Sequence, residues 1–301
     1  MGARQIPVRR SELTCPGHSS KMMAGAAASG ADEVIFDLED ACATSQKEAA
    51  RGLVIEALTQ VAFSPGTVRA VRVNDVRSGL CYRDVVDVVE RAGAKLDVLV
   101  IPKVERASDV EFVSTLVDQL EIRCQLPRGR IGLEVLIETA SAVLHAPAIA
   151  GASPRLESLI FGVADYAASV GARDFNAAAQ FHYPRASLLA AARAAGVLAI
   201  DAVTVQFRDL DKTRADADAA AAMGFDGKWA IHPGQLAPIH AAFTPTVEEV
   251  NKALATVQAY READAREGLG AIVLDGEMVD AATVKVLEKR LQVARRAGLT
   301  R

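Results

Sequence analysis

Residues 131–140, IGLEVLIETA, and 158–166, SLIFGVADY, each carry a run of apolar residues toward a carboxylate, Glu138 in the first and Asp165 in the second. Short runs rich in Val, Ile, Leu and Phe read as buried strands. Comparable runs stand at 9–15 (RRSELTC), 33–38 (EVIFDL), 68–74 (VRAVRVN), 97–102 (DVLVIP), 198–203 (LAIDAV) and 228–233 (KWAIHP), which makes eight with IGLEVLIE and SLIFGV. Between them lie Ala-rich segments of helical period, such as SQKEAARGLVIEAL, YRDVVDVVERAG and RASLLAAARAAG, several of them closed by Gly as helix ends often are. Alternating strands and helices specify a parallel sheet with crossover helices. Eight units predict a closed (β/α)8 TIM barrel, whose active-site groups gather where the strands end. The rival, a doubly wound open sheet, lacks a GxGxxG after the first strand.

The barrel is expected over residues 1–245 and a C-terminal helical extension over 246–301. The extension reads as a charged helix, TVEEVNKALATVQAYREADAREG, then a short apolar segment, a turn at Asp275-Gly276 and another helix. This is more chain than a barrel needs to close, so it is expected to act as a lid, over its own mouth or a neighbour's.

Composition narrows the function classes. With 301 residues, half of them hydrophobic, the chain can bury a large core, and its net charge of −4 offers no cationic field for nucleic acid. Cys15, Cys42, Cys81 and Cys124 are scattered with no CxxC pair, which suits reduced thiols in a cytoplasmic protein. No apolar run reaches membrane-spanning length, so neither membrane nor nucleic acid is an expected partner. The five histidines, His18, His145, His182, His232 and His240, show no HxH or HExxH spacing for zinc or iron.

In the barrel reading, Glu138 and Asp165 close consecutive strands roughly 4.8 Å apart, so their carboxylates can meet. Two close anions repel unless a proton or a cation intervenes, and hard oxygen ligands with room for water suit Mg²⁺. The competing reading has each acid capping the helix that follows it. Arg72, ending its strand in RVN, presents a planar guanidinium to the same mouth, either to grip a substrate carboxylate or to pair with Glu39 or Asp40. DLED sets Asp37, Glu39 and Asp40 at a third strand end, as partners for Arg72 or for metal-bound water. Lys103, in IPKVE, offers an imine-forming alternative if burial lowers its pKa, or an ion pair if it does not. Arg9, Arg10, Ser11 and Lys21 flank a Pro-Gly turn, and GKWAIHPGQ adds Lys228 and backbone donors at a helix start; such groups suit phosphates, though basic residues near turns also serve as plain surface.

Taken in order, RRSELTCPG, IFDLEDA, VRVN, DVLVIPKVE, EVLIETA, FGVADYAAS, GFDGKWAIHPGQ and LDGEMVD resemble the HpcH/HpaI aldolase and citrate lyase β-subunit superfamily, most closely its malyl-CoA lyases. The resemblance spans nearly the whole chain. It implies a Mg²⁺-dependent barrel, with Mn²⁺ as an alternative ion, that cleaves or forms a carbon–carbon bond beside a CoA thioester. By motif, Glu138 and Asp165 match the metal ligands and Arg72 the group that binds the 2-oxo acid. Asp280, in the triplet Met278-Val279-Asp280, matches a lid aspartate that acts as acid/base in a neighbouring subunit of a homotrimer or hexamer, with Asp275 as a nearby reserve. Arg9, Arg10, Ser11 and Lys21, together with Ile231, His232 and Pro233, match the CoA-binding region. One departure stands out: between FGVADYAASVGARD and YPRASLLAAARAAG, where malyl-CoA lyases carry a longer insertion, this chain keeps only FNAAAQFH.

The expected reaction is reversible cleavage of (S)-malyl-CoA, or β-methylmalyl-CoA, to glyoxylate and acetyl-CoA or propionyl-CoA. Alternatives are a citramalyl-CoA lyase, a citrate lyase β-like subunit, a malyl-CoA thioesterase, a Schiff-base aldolase using Lys103 and a non-catalytic CoA-binding subunit. One methyl group changes selectivity in an apolar pocket by only about 1–3 kcal/mol, so the residues alone do not choose among these substrates.

Overall fold

Eight parallel strands close on themselves in the computed structural model, which describes residues 6–174, 178–296 and 298–299. The strands are β1 (Ser11–Pro16), β2 (Glu33–Asp37), β3 (Val68–Arg72), β4 (Val98–Ile101), β5 (Gly132–Ile137), β6 (Leu156–Phe161), β7 (Leu198–Asp201) and β8 (Gly227–Ala230). Each pairs with the next, and β8 returns to β1. All eight expected strands are present, within two residues or so at most ends. The helices of this part are α1 (Ser20–Ala27), α2 (Lys47–Gln60), α3 (Cys81–Ala92), α4 (Ala107–Arg123), α5 (Ala140–Ala150), α6 (Val163–Ser169), α7 (His182–Ala195), α8 (Leu210–Met223) and α9 (Leu236–Phe243). Gly196 and Gly224 end α7 and α8 in the left-handed region, φ 75° and 104°, where a side chain would be strained.

Period-two alternation sorts the interior into layers. A middle layer of Ile35, Ala70, Val100, Leu136, Ile160, Ile200 and Trp229 is buried and almost wholly aliphatic. One layer toward the strands' C-terminal ends come Asp37, Arg72 and Glu138; one layer toward their N-terminal ends come Glu12, Glu33 and Glu134, all buried. The apolar waist therefore separates two charged layers. A register shift opposite Leu133 and Glu134 pairs them with Leu156 and Ser158, leaving Glu157 as an extra residue in β6. Such a bulge re-aims a side chain, here into the charged N-terminal layer. Gly132 faces it, and any side chain there would collide with Glu157.

The chain divides into two compact units, Met1–His240 and Ala241–Arg301. In the second, α10 (Val247–Glu267) and α11 (Ala281–Arg296) flank an antiparallel hairpin of β9 (Ala271–Leu274) and β10 (Glu277–Asp280). Val250, Ala253, Val257, Val279, Val284, Leu291 and Ala294 form its own small core. Asp275 and Gly276 turn the hairpin with positive φ, 50° and 81°, at the turn expected from the sequence. Among the described residues, no helix is long and apolar enough to cross a membrane.

Candidate active site

At the C-terminal ends of the strands, Asp37 and Arg72 are cross-strand partners in register. Asp37 takes the guanidinium in a two-pronged grip, Nε to Oδ1 at 2.7 Å and Nη2 to Oδ2 at 2.6 Å, while Nη1 lies 3.2 Å from Glu39 Oε2. The guanidinium stands 5.3 Å from the centroid of the Trp229 ring, so this lone tryptophan packs in the core and also forms the floor under Arg72. Asp37 further accepts the backbone N–H groups of Glu39 and Ala41, at 2.8 and 3.0 Å, which folds the DLED segment over the end of β2.

Lys103 follows β4 with φ 52°, a left-handed conformation that costs a non-glycine residue on the order of 1 kcal/mol. Its partners hold it there. The backbone N–H donates to Glu138 Oε1 at 2.6 Å, and Nζ donates to Glu39 Oε1 at 2.5 Å and Asp40 Oδ1 at 3.1 Å. Burial pulls the Lys103 pKa down, but the bonds to Glu39 and Asp40 outweigh it and hold the ammonium above its ordinary value. An imine-forming lysine requires the opposite, so the ion-pair reading of Lys103 stands and the Schiff-base alternative loses its physical basis.

Glu138 directly follows β5 and is 1% exposed. Its neighbour differs from expectation in one respect: Asp165 does not end β6 but sits in the first turn of α6, after Gly162. A Cβ on Gly162 would lie 2.5 Å from Glu138 Oε2, so only glycine lets the chain pass this close. Burial, and then the charge of Asp165, push the Glu138 carboxyl up to about 8, against the opposing pull of the Lys103 N–H and Arg72. A buried acid raised by a second acid is a donor set whose repulsion a hard divalent cation would relieve. The structure thus brings Arg72, Glu39, Asp40, Glu138 and Asp165 to one mouth.

It does not bring Arg9, Arg10 and Ser11 there. They lie at the N-terminal ends of the strands, and their assignment to a CoA phosphate is corrected on geometry. Arg9 is 1% exposed and enclosed by Glu33, Glu134 and Glu157. Arg10 pairs with Asp32 through Nε and Nη2, both at 2.8 Å. Ser11 is buried, with Oγ 2.7 Å from His240 Nε2. Lys228 likewise is no phosphate ligand: it is 1% exposed, with Nζ 3.3 Å from Asp201 Oδ2. Lys21, exposed on α1 just after β1, and exposed Ile231, His232 and Pro233, just after β8, do follow strand C-terminal ends. His232 stacks on Phe207, ring centroids 5.1 Å apart.

Asp280 ends β10 in the second unit and caps α11, its Oδ1 accepting the Thr283 N–H at 2.8 Å and hydroxyl at 3.0 Å. These bonds hold its carboxyl below the usual range. Of the shortened segment, residues 175–177 lie outside the described residues. Sequence reasoning missed Lys47, whose Nζ donates to the Leu38 and Glu39 carbonyls at 3.0 and 2.9 Å and to Asn74 Oδ1, pinning the DLED segment. A lysine opening a helix opposes the helix dipole, and that anomaly was the available signal.

A closed barrel with an acid pair and an arginine at its mouth defines a carbon–carbon lyase when set beside its relatives. The profile of the HpcH/HpaI aldolase/citrate lyase family matches residues 10–233, and the chain belongs to that family. It is 37% identical over 296 residues to the L-malyl-CoA/beta-methylmalyl-CoA lyase of Cereibacter sphaeroides (strain ATCC 17025 / ATH 2.4.3), covering 93% of this chain and 92% of that one. The (3S)-malyl-CoA thioesterase of Cereibacter sphaeroides (strain ATCC 17029 / ATH 2.4.9) is 36% identical over 278 residues, covering 92% of both. Among solved structures, CitE from Mycobacterium tuberculosis in complex with magnesium, acetoacetate and coenzyme A is similar, with a TM-score of 0.76, 30% identity and coverage of 96% of this chain and 98% of that one.

Proposed function

We propose that this chain is a Mg²⁺-dependent lyase that reversibly cleaves (S)-malyl-CoA or β-methylmalyl-CoA to glyoxylate and acetyl-CoA or propionyl-CoA. The observation that carries the reading is the pair Glu138 and Asp165, with Glu138 held up to about 8 beside Arg72. Those two carboxylates would hold Mg²⁺, or Mn²⁺ in its place. Bound there, the ion would polarise the carbonyl oxygen of the oxo acid.

Asp37 takes the Nε–H and one Nη2–H of Arg72 while Nη1 lies 3.2 Å from Glu39, so the terminal nitrogens retain N–H groups for a substrate carboxylate. Asp37 and Glu39 set the orientation of Arg72, and Glu39 and Asp40 would line the substrate's approach. In synthesis, Asp280 from the lid of a neighbouring copy takes a proton from the methyl carbon beside the thioester. The resulting enolate adds to the aldehyde carbon of glyoxylate, and the new alkoxide oxygen takes up a proton. Cleavage runs the same steps backward. Asp280 Oδ1 is engaged as a helix cap, so Oδ2 receives the proton. A carboxylate held below its usual pKa is a weak base, which makes stabilisation of the enolate oxygen the larger part of the barrier. Lys21 and the Ile231–Pro233 segment are the CoA contacts this reading retains, and a homotrimer or hexamer is the assembly it requires.

A second reading, hydrolysis of malyl-CoA, is favoured by the likeness to the thioesterase. The test is to incubate the purified protein with malyl-CoA, with Mg²⁺ or EDTA, and follow glyoxylate, acetyl-CoA and free CoA together. Equal glyoxylate and acetyl-CoA, lost in EDTA and lost in Asp280→Ala, is the expected result. Free CoA with malate selects the thioesterase; activity indifferent to EDTA removes the metal from the reading.

A further inference from the structure

The closed end of the barrel holds a second charged constellation that the proposed reaction does not use. Arg9 reaches across the interior from the chain just before β1. Its Nε lies 2.6 Å from Glu33 Oε2 and its Nη2 2.5 Å from Glu157 Oε2, and Nη1 bonds Glu134. A fourth acid, Glu12, is the register partner of Glu33 and is 0% exposed. Neither of its carboxylate oxygens has a hydrogen-bond partner.

One guanidinium facing four carboxylates leaves negative charge in excess, in a place water does not reach. Uncompensated buried charge costs several kcal/mol even after relaxation. Protons reduce the charge, and burial does raise the carboxyl pKa of Glu12 and Glu33. A proton on Glu12 removes its charge and makes one oxygen a donor to a neighbouring acid, but still leaves the other oxygen without a donor. One carboxylate oxygen from each of Glu12, Glu33 and Glu134 lies within 4.8 Å of the other two. Oxygen ligands at about 2.3–2.6 Å from a common Ca²⁺ are separated by no more than about 5 Å, so these three can share one ion without moving their strands.

We propose that the closed end of the barrel is a structural cation site, in which Glu12, Glu33 and Glu134 ligate one hard divalent ion of Ca²⁺ size while Arg9 balances the remaining charge. The ion would be captured as the barrel closes and would exchange only when it opens, unlike an ion at the solvent-facing mouth.

The test uses the full chain, unfolded in guanidinium with EDTA and refolded into either Ca²⁺ or EDTA. Both folded preparations are then dialysed against EDTA before elemental analysis and thermal melting. The expected result is a single equivalent of calcium retained only after refolding in Ca²⁺, with a melting temperature several degrees above that of the EDTA preparation. Asp165→Asn, which alters the mouth alone, should retain that equivalent. Glu12→Gln should retain none and should melt alike in both preparations. Wild-type protein that keeps no calcium and melts identically either way overturns the proposal, as does calcium retained undiminished in Glu12→Gln. Should Glu12→Gln fail to fold, the two wild-type preparations decide alone.

Discussion

The barrel carries an arginine among carboxylates at each end, and the two clusters solve the same electrostatic problem differently. At the mouth, loop backbone helps: Asp37 accepts two backbone N–H groups, Glu138 accepts the Lys103 N–H, and Lys103 and Lys47 add positive charge. At the closed end the acids stand within or beside strands whose backbone is already spent on the sheet, and Glu12 is left with no hydrogen-bond partner. Loops can supply donors, and strands cannot. The mouth is therefore a place where charge can be adjusted for chemistry, whereas the closed end can only be satisfied once and kept.

That contrast can be broken from either side. The largest effect is expected from Asp165→Asn, which should lower the lyase rate on the order of 10³-fold or more while shifting the melting temperature little. Arg9→Met should do the reverse. Leaving its acids buried without their counter-ion is expected to cost about 3–5 kcal/mol in urea denaturation, with turnover by the folded fraction intact. Equal loss of activity in both variants would mean that the two ends are not independent. Gly162→Ala drives a methyl group against Glu138, and displacement of that carboxylate should reduce kcat/KM about 10²-fold with little change in fold content by circular dichroism.

The smallest signal reads both ends at once. Glu138 titrates near 8 in the folded chain against an ordinary 4.5, so the folded state keeps a proton the unfolded state has released between those values. Its contribution to stability is present below about 4.5 and lost as pH rises through about 8. Glu12 and Glu33 lean the same way. In EDTA, the melting temperature should fall from about pH 5 to about pH 8.5, Glu138→Gln should flatten part of that slope, and Mg²⁺ added near pH 8 should restore stability. A slope unchanged in Glu138→Gln would assign it to the other raised acids, Glu39 at the mouth and Glu12 and Glu33 at the closed end.

Much of the barrel was legible because β-rich apolar runs and Ala-rich helices alternate at a regular beat, and the mouth acids stand next to those runs. The placement of Asp165 one helical turn further on was not legible, since Phe161 and Val163 look equally strand-like and only the packing against Glu138 makes Gly162 the break. Arg9 and Arg10 read as phosphate ligands because basic residues near a Pro-Gly turn suit anions, with plain surface as the competing reading, and neither reading buries them. The corrective signal was parity: Glu138, just past the end of β5, stands four residues after Glu134, as Asp37 does after Glu33 on β2, so each pair faces the same interior from different depths. Glu157 escapes even that rule, because the register shift beside it is set by pairing across strands and leaves no mark in β6 alone.

The charge at the mouth has a kinetic consequence. Even with Glu138 protonated, Asp37, Glu39, Asp40 and Asp165 outnumber Arg72, Lys103 and Lys47, yet the oxo acid and the acyl-CoA of the proposed reaction are themselves anions. On that reading the order of arrival is fixed: the cation comes first, and until it does the mouth repels the molecules it is built to join.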